Sequence, residues 1–195
     1  MHKAQAPRFK AQQAAIPWAS SLVLCALCLE GVSATVLLPA DFTTVVTEST
    51  IAVHGTVVGV QAGLTGPRRT IESIITVSVI TALKGTPGAR VVFRAPNGQV
   101  GRYRRVLVGA PEFEEGDEVV VFLQGRAPAL PSLFGLSQGV YRVIRDSGSR
   151  PLVTPPPVMA RGIAAERVVR GDPVRTPMPV DQFAREVRSV LERVR

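Results

Sequence analysis

Cysteine and histidine are scarce in this sequence of 195 residues, which contains two of each. Both cysteines, Cys25 and Cys28, lie in one apolar run near the N-terminus, and one histidine is the second residue. If that region is removed, the chain has no thiol for a disulfide or a nucleophilic attack. It keeps a single histidine, His54, whereas a structural zinc site takes four Cys or His ligands. We therefore predict no metal site and no cofactor.

Long hydrophobic runs are also absent. The longest, Ala19 to Leu29, is far shorter than the roughly 20 residues that span a bilayer, but it suits the apolar core of a signal peptide. A basic segment without acidic residues precedes it, and small residues follow it up to Ala34. We predict a secretory signal peptide over residues 1–34, cleaved between Ala34 and Thr35, and hence an exported chain, periplasmic or extracellular.

Two other interpretations of this segment stay open. The stretch from Ala11 to Leu29 could be retained as an uncleaved anchor. A lipoprotein signal is less favoured because Cys25 and Cys28 each follow a leucine, where such signals need a small residue. Beyond the leader, we expect no membrane span.

Removal of the leader also changes the charge. The whole chain has 23 Lys and Arg against 15 Asp and Glu, a net charge of +8. The first 34 residues hold three basic and one acidic residue, which leaves 20 against 14, or +6. Lys84 is the one lysine left, and the arginine bias reflects either a GC-rich genome or a function. The remaining 161 residues suffice for one domain without a disulfide.

Alternation of apolar and polar residues predicts an all-β domain. It is clearest over Thr70–Leu83, where one parity is apolar and the other polar. Further strands are predicted at Ile51–Gln61, Ala89–Ala95, Arg102–Val108, Glu118–Gln124, Leu133–Asp146 and Pro151–Thr154, with turns at Ala62–Arg68 and Asn97–Gly98 and a helix at Asp41–Ser49. Without βαβ alternation, this order favours a small OB-like barrel of five or six strands.

The C-terminal region differs in character. Prolines recur over residues 155–180, which we interpret as a linker, and apolar residues recur at helical spacing over residues 181–195. We predict an amphipathic helix that packs on the barrel, rather than one that docks elsewhere or lies on a membrane. The predicted domains are thus the leader 1–34, a barrel 35–154, the linker and the helix.

Three segments carry a resemblance: Glu48–Val57, Val79–Gly85 and Gly116–Leu123. In order and type they resemble a family of uncharacterised exported bacterial proteins and, more distantly, the netrin/TIMP-type OB-fold, over roughly Asp41 to Asp146. The resemblance implies an OB-like barrel. TIMP-type inhibitors place an N-terminal cysteine on the target's zinc and are held by disulfides. Here Thr35 would be the N-terminus, so the resemblance does not imply that chemistry.

The residues Gly135–Gly139 match G-x-S-x-G, the pattern of a serine nucleophile elbow. That elbow needs a following helix and a histidine base, whereas a strand-like segment follows here. A triad of His54, Asp117 and Ser137 can be written in the chymotrypsin order. We favour two glycines that shape a bulge where a strand begins, and a partly exposed strand position for His54.

Two charged clusters remain. Glu112, Glu114, Glu115, Asp117 and Glu118 surround Gly116 but lack the spacing of a calcium loop, so we interpret them as a solvated turn anchored by Phe113. Arg102, Tyr103, Arg104 and Arg105 form the densest basic patch and the candidate binding patch. Nucleic acid is not favoured, because Thr70–Leu83 has no aromatic residue to stack bases and the leader directs export.

The sequence therefore predicts no catalytic residue. It indicates an exported, non-enzymatic binding module in the cell envelope or outside the cell, with a protein partner or an anionic envelope surface as its target. Two alternatives are an inhibitor of a secreted protease, which rests on the resemblance, and a hydrolase that uses Ser137.

Overall fold

The structure is a computed structural model that describes residues 40–125, 128–160, 167–170 and 176–194, with the backbone alone over 157–160 and 167–170. The leader predicted over residues 1–34, with its cleavage site at Ala34 and Thr35, lies outside the described residues. Its boundary therefore stays a prediction.

The described residues form two helices and twelve strands. Helix α1 spans Phe42–Glu48 and helix α2 spans Val180–Arg193. The strands are β1 Ile51–Thr65, β2 Thr70–Lys84, β3 Arg90–Ala95, β4 Gly98–Val100, β5 Tyr103–Arg105, β6 Glu118–Gln124, β7 Ser132–Leu133, β8 Val140–Arg145, β9 Pro151–Thr154, β10 Pro157–Ala160, β11 Arg167–Arg170 and β12 Met178–Pro179.

Five strands close into a barrel. Their order is β1-β2-β3-β7-β6, and β6 pairs back onto β1 from Ile51 and Leu123 to Thr56 and Glu118. The β3–β7 contact is parallel and the other contacts are antiparallel. From β6 the sheet continues outward through β8, β9 and β12. The fold is an all-β, OB-like barrel with a short N-terminal helix and a C-terminal helix, so the fold prediction is confirmed.

Strand β1 is irregular where it pairs with β2. The pairing of β1 with β2 shifts register at three places, after Ala52, after His54 and between Val57 and Gly59. Such bulges increase the local twist and bend the strand. At Gly55 the two backbones lie so close that an added Cβ would stand 2.2 Å from the carbonyl oxygen of Ser78. Two of the three register shifts thus fall at glycines, Gly55 and Gly59.

The apolar residues divide into two clusters, one on each face of the shared strands. The cluster inside the barrel consists of Val53, Val57, Ile75, Val77, Val91, Phe93, Ala95, Phe113, Val119, Val121, Leu123, Leu133 and Val140. The cluster under the helices consists of Phe42, Val45, Val46, Ala52, Leu83, Val120, Phe122, Phe134, Tyr141, Val153, Phe183, Val187 and Val190. Since α2 contributes its apolar face to the second cluster, it packs on the barrel as predicted.

Helix α1 is stabilised at both ends. Asp41 precedes it, and its carboxylate accepts the backbone N–H of Thr44 at 2.6 Å. This hydrogen bond keeps the pKa of Asp41 below its ordinary value. At the other end, Lys84 Nζ donates to the carbonyls of Val46 and Thr47 at 2.7 and 2.8 Å. Burial lowers the pKa of that lysine. The lysine thus joins the end of β2 to α1.

Several element boundaries differ from the prediction. The first strand continues through Ala62–Thr65, because pairing with β2 extends that far, so the turn there begins only at Gly66. Turns occupy residues 134–139, so Leu133–Asp146 is not one strand. The tight turn predicted at Asn97–Gly98 is wrong: Gly98 already pairs with Arg105 as the first residue of β4, and the chain reverses after Val100.

The proline-rich region also contains strands. Over residues 155–180, the described backbone forms the β10–β11 pair and β12, and β12 pairs with β9. Pairing to a sheet gives part of this stretch an ordered conformation that its proline content did not predict. Neither helix of the described residues has the length and apolar character that crossing a bilayer requires.

Candidate binding surface

The predicted basic patch lies on a two-stranded hairpin. The strands β4 and β5 pair antiparallel, and Gly101 and Arg102 form the turn that joins them. Gly101 has φ +58°, the left-handed conformation that glycine adopts without steric cost. The structure therefore places Arg102 and Tyr103 at the tip of the hairpin, where both are exposed.

Side-chain hydrogen bonds attach this hairpin to β2. Ser73 Oγ donates to the carbonyl of Asn97 at 2.7 Å, and Arg105 Nη1 donates to the carbonyl of Ile71 at 3.1 Å. An added Cβ at Gly98 would stand 3.0 Å from Ser73 Oγ, so β4 lies directly against β2. Arg105, a member of the predicted patch, is partly buried and anchors the hairpin through its guanidinium group.

The other two arginines are held in different ways. The guanidinium carbon of Arg102 lies 5.1 Å from the centroid of the Tyr103 ring, and its Nη2 donates to the tyrosine hydroxyl at 2.9 Å. This stacking holds the cation over an aromatic face. Arg104 forms an ion pair with Glu112, with 3.0 Å between Nη2 and Oε1. The hairpin therefore presents two exposed arginines and an exposed tyrosine.

Sequence reasoning missed an apolar segment next to the patch. Val106, Leu107 and Val108 follow β5 directly, and they are exposed by 61%, 39% and 78%. The sequence predicts a strand from Arg102 to Val108, which would turn alternate side chains inward. The strand instead ends at Arg105. The three apolar residues do not alternate with polar ones, and Gly109 follows them. This pattern in the sequence indicates a loop and not a strand.

Asn97 holds this loop in place. Its Oδ1 accepts the backbone N–H of Leu107 at 2.8 Å, and its Nδ2 donates to the carbonyl of Ala110 at 3.5 Å. Ala110 also closes a turn onto the carbonyl of Leu107 at 3.0 Å. The apolar residues are thus displayed on a hydrogen-bonded turn. We call Arg102, Tyr103, Arg104, Val106, Leu107 and Val108 together the hairpin surface.

The acidic cluster lies beside this surface, and its members have different surroundings. Glu112 pairs with Arg104, while Glu114 and Glu115 are exposed. The Phe113 ring is buried, 5.5 Å from the ring of Phe93, so the prediction that it anchors the loop is confirmed. Among the described residues, no group of three His, Cys, Asp or Glu is placed to hold a metal ion.

His54 is buried, which corrects the prediction that it is partly exposed. It is 6% exposed, and its Nε2 lies 2.9 Å from Glu118 Oε1 on β6. The other carboxylate oxygen of Glu118 lies 3.5 Å from Arg145 Nη2 on β8. Pairing of β1 with β6 creates this contact across a long sequence separation. Its physical role is to give a buried imidazole a charged partner.

The residues of the candidate triad take part in separate interactions. Asp117 Oδ2 accepts from Arg142 Nη1 at 2.8 Å, whereas His54 pairs with Glu118. Ser137 is 8% exposed in a turn that leads into β8, with no helix after it. Gly135 in that turn has φ +50°, and an added Cβ at Gly139 would stand 2.7 Å from the carbonyl oxygen of Phe122. Backbone geometry therefore accounts for both glycines.

A groove of about 560 Å³ lies between the end of β2 and the second half of α2. Thr47, Ala82, Leu83, Lys84, Gly85, Arg188, Leu191, Glu192 and Val194 line it. The Lys84 amine is already bonded to two carbonyls, and the lining contains both charge signs. The volume of the groove suits a small ligand. Because its lining carries both signs of charge, the groove does not indicate whether such a ligand is an anion or a cation.

The hairpin surface is thus the feature of the described residues that combines exposed apolar side chains with fixed arginines. No protein-family model, curated protein sequence or solved structure matches this chain.

Proposed function

We propose that this chain is an exported, non-enzymatic binding module that contacts a protein partner in the cell envelope or outside the cell through the hairpin surface. The observation that carries the proposal is the exposure of Tyr103, Val106 and Val108 beside the stacked Arg102. Contiguous exposed apolar groups mark interaction sites on soluble proteins. Tyrosine and arginine are enriched among the residues that dominate binding energy in protein interfaces.

The acidic loop favours a protein over a bilayer as the target. Arg104 contacts Glu112, and Glu114 and Glu115 are exposed two and three residues further on. An anionic lipid surface attracts basic groups but repels these carboxylates, because it carries one sign of charge throughout. A protein surface can match both signs locally, and such matching also sets specificity.

The same residues argue against a nucleic-acid partner. Single-stranded nucleic acids bind where a basic groove is combined with aromatic side chains that stack successive bases. Here Tyr103 is the single aromatic residue of the hairpin surface, and Arg102 already covers one face of its ring. The export predicted from the leader also separates the chain from cellular nucleic acid.

The proposal that the module is non-enzymatic is supported by the different partners of His54 and Asp117. A general base must reach its proton through a hydrogen bond or one water molecule. In the structure His54 Nε2 lies 2.9 Å from Glu118 Oε1, and Asp117 forms an ion pair with Arg142. The triad of His54, Asp117 and Ser137 would require Asp117, and not Glu118, to hold the imidazole.

A photo-reactive amino acid tests the binding surface directly in the producing cell. Placed at Val108, it should crosslink the chain to a protein, and placed at Ile80, it should not. Ile80 is a matched control because it is apolar and 59% exposed but lies on β2, outside the hairpin surface. The Val108 adduct should also disappear in a chain that carries Arg102→Glu.

Two outcomes would overturn the proposal. Equal crosslinking at both positions would indicate collisions without a specific surface. If no protein adduct forms and the chain instead floats with vesicles that contain anionic phospholipid, in a way that depends on Val108, the target is a membrane surface.

A further inference from the structure

We propose that the partner contacted by the hairpin surface is a second copy of this chain, held in a two-fold symmetric dimer. The inference rests on the proposed function, because it names the partner of the same surface. It follows from the charge pattern around the hairpin, from the apolar segment that follows the hairpin in the chain and from the way that segment is held.

The surface carries both signs of charge side by side. Arg102 and Arg104 lie on the hairpin, and the acidic loop that begins at Glu112 touches it through the Arg104–Glu112 ion pair. Both side chains of that pair remain mostly exposed, at 60% and 66%, so each can reach a second partner. A two-fold rotation places the basic half of one copy on the acidic half of the other. The surface is therefore complementary to itself, as an isologous interface requires.

The apolar segment provides the centre of such an interface. In the chain, Val106, Leu107 and Val108 connect the basic hairpin to the acidic loop, and all three are exposed. An interface of this kind buries apolar groups at its centre and leaves charged groups at its rim. In a two-fold dimer, the valines of one copy would cover those of the other while the charged groups pair around them.

The loop is also ordered before it binds. Asn97 bonds to both ends of it, at Leu107 and Ala110, and the hairpin beneath is attached to β2 through Ser73. A preorganised segment loses little conformational entropy on association, which favours binding by a small surface.

The size of the surface determines how tightly we expect the two copies to bind. A stable interface takes roughly 20–30 residues from each side. The hairpin surface and the neighbouring glutamates Glu112, Glu114 and Glu115 provide nine. We therefore expect a reversible dimer whose dissociation constant lies in the micromolar range or weaker. Monomer and dimer should exchange as concentration changes.

Charge reversal gives a sharp test, with sedimentation of the chain as recovered from the producing cell. One variant combines Arg102→Glu with Arg104→Glu, and the other combines Glu112→Arg with Glu114→Arg. Each alone places like charges opposite each other in the dimer, so each should dissociate at least about tenfold more readily, or 1.4 kcal/mol. An equimolar mixture should form a heterodimer, because opposite charges then meet at both ends of the interface.

Three further variants separate association from folding. Arg104→Glu combined with Glu112→Arg keeps a reversed ion pair within each chain and should still dimerise. Val108→Asp should abolish the dimer, whereas Ile80→Asp should leave it intact. All variants should melt within a few degrees of the parent, since exposed ion pairs contribute at most about 1 kcal/mol to stability.

The result separates this inference from the function on which it rests. A parent chain that stays monomeric at every concentration, while Val108 still crosslinks to a different protein, overturns the dimer and leaves the binding module standing. A dimer that survives both charge-reversed variants and Val108→Asp uses another surface, which also overturns the inference. A chain that is monomeric and forms no adduct at Val108 overturns both proposals.

Discussion

The ring of Phe183 lies edge-on to the ring of Phe42, with 5.3 Å between their centroids. Both rings also contact Tyr141 on β8, at centroid distances of 5.0 and 6.2 Å. The two helices, which are far apart in the sequence, therefore cover the same outer face of the barrel strands. The C-terminal helix is part of a hydrophobic core and not an appendage.

Replacement of Phe183 by alanine should lower the free energy of unfolding by about 3–5 kcal/mol, because it leaves a cavity among buried aromatic rings. Urea denaturation followed by circular dichroism measures the change. Arg185→Ala on the exposed face of α2 is the matched control and should stay within about 0.5 kcal/mol of the parent. Equal effects of the two substitutions would mean that the helix does not pack as described.

Replacement of Gly55 by alanine should disrupt the contact between β1 and β2. The new Cβ would stand 2.2 Å from the Ser78 carbonyl oxygen, so one backbone must move. Overpacking of this kind costs typically 1–3 kcal/mol, and a backbone clash belongs at the upper end or beyond it. Gly63→Ala in the same strand meets no atom within 4 Å and should leave the melting temperature unchanged. Two unchanged melting temperatures would contradict the close approach of the strands.

Replacement of Asp41 by alanine should cost about 1 kcal/mol at neutral pH, since it removes the N-cap of α1. The cap hydrogen bond keeps the pKa of this carboxyl below its ordinary value of 3.8. Its contribution to stability is thus present above that value and is lost as pH falls through the lowered pKa. The free energies of unfolding of the parent and the variant, measured from neutral pH into acid, should therefore converge. A constant difference down to the lowest pH would argue against the cap.

Export should yield a chain that begins at Thr35, because cleavage is predicted after Ala34. N-terminal sequencing or mass spectrometry of the chain recovered outside the cytoplasm measures this. Ala34→Leu should block cleavage and leave a larger, membrane-retained form, since signal peptidase needs a small residue there. An intact N-terminus on the parent chain would support the retained anchor instead.

The parent chain should hydrolyse ester and peptide substrates no faster than the background of the preparation. Replacement of Ser137 by alanine should therefore leave the rate unchanged. Its hydroxyl lies in a turn before a strand, and His54 is engaged by Glu118. The assay compares the parent, Ser137→Ala and His54→Gln on chromogenic esters. Turnover by the parent that both substitutions remove would establish the hydrolase alternative.

Local patterns identified most of the secondary structure. The alternation in Thr70–Leu83 predicted β2 to within one residue, and Glu118–Gln124 coincides with β6. Both helices were also predicted from local patterns, because capping and helical spacing involve neighbouring residues. Asp41 caps the first helix, and the second shows the amphipathic spacing. Where a strand ends was less predictable, because that depends on how far its partner extends.

The candidate site depended less on local patterns than the secondary structure did. The sequence by itself marked Arg102 to Arg105 as a basic patch, and it determined the apolar character of Val106 to Val108. It did not determine that Arg105 would anchor the hairpin, that His54 would be buried against Glu118 or that the valines would be exposed. These depend on which distant segments cover a given side chain. Closure of the barrel decides that, because it brings β1 onto β6 and places the hairpin against β2.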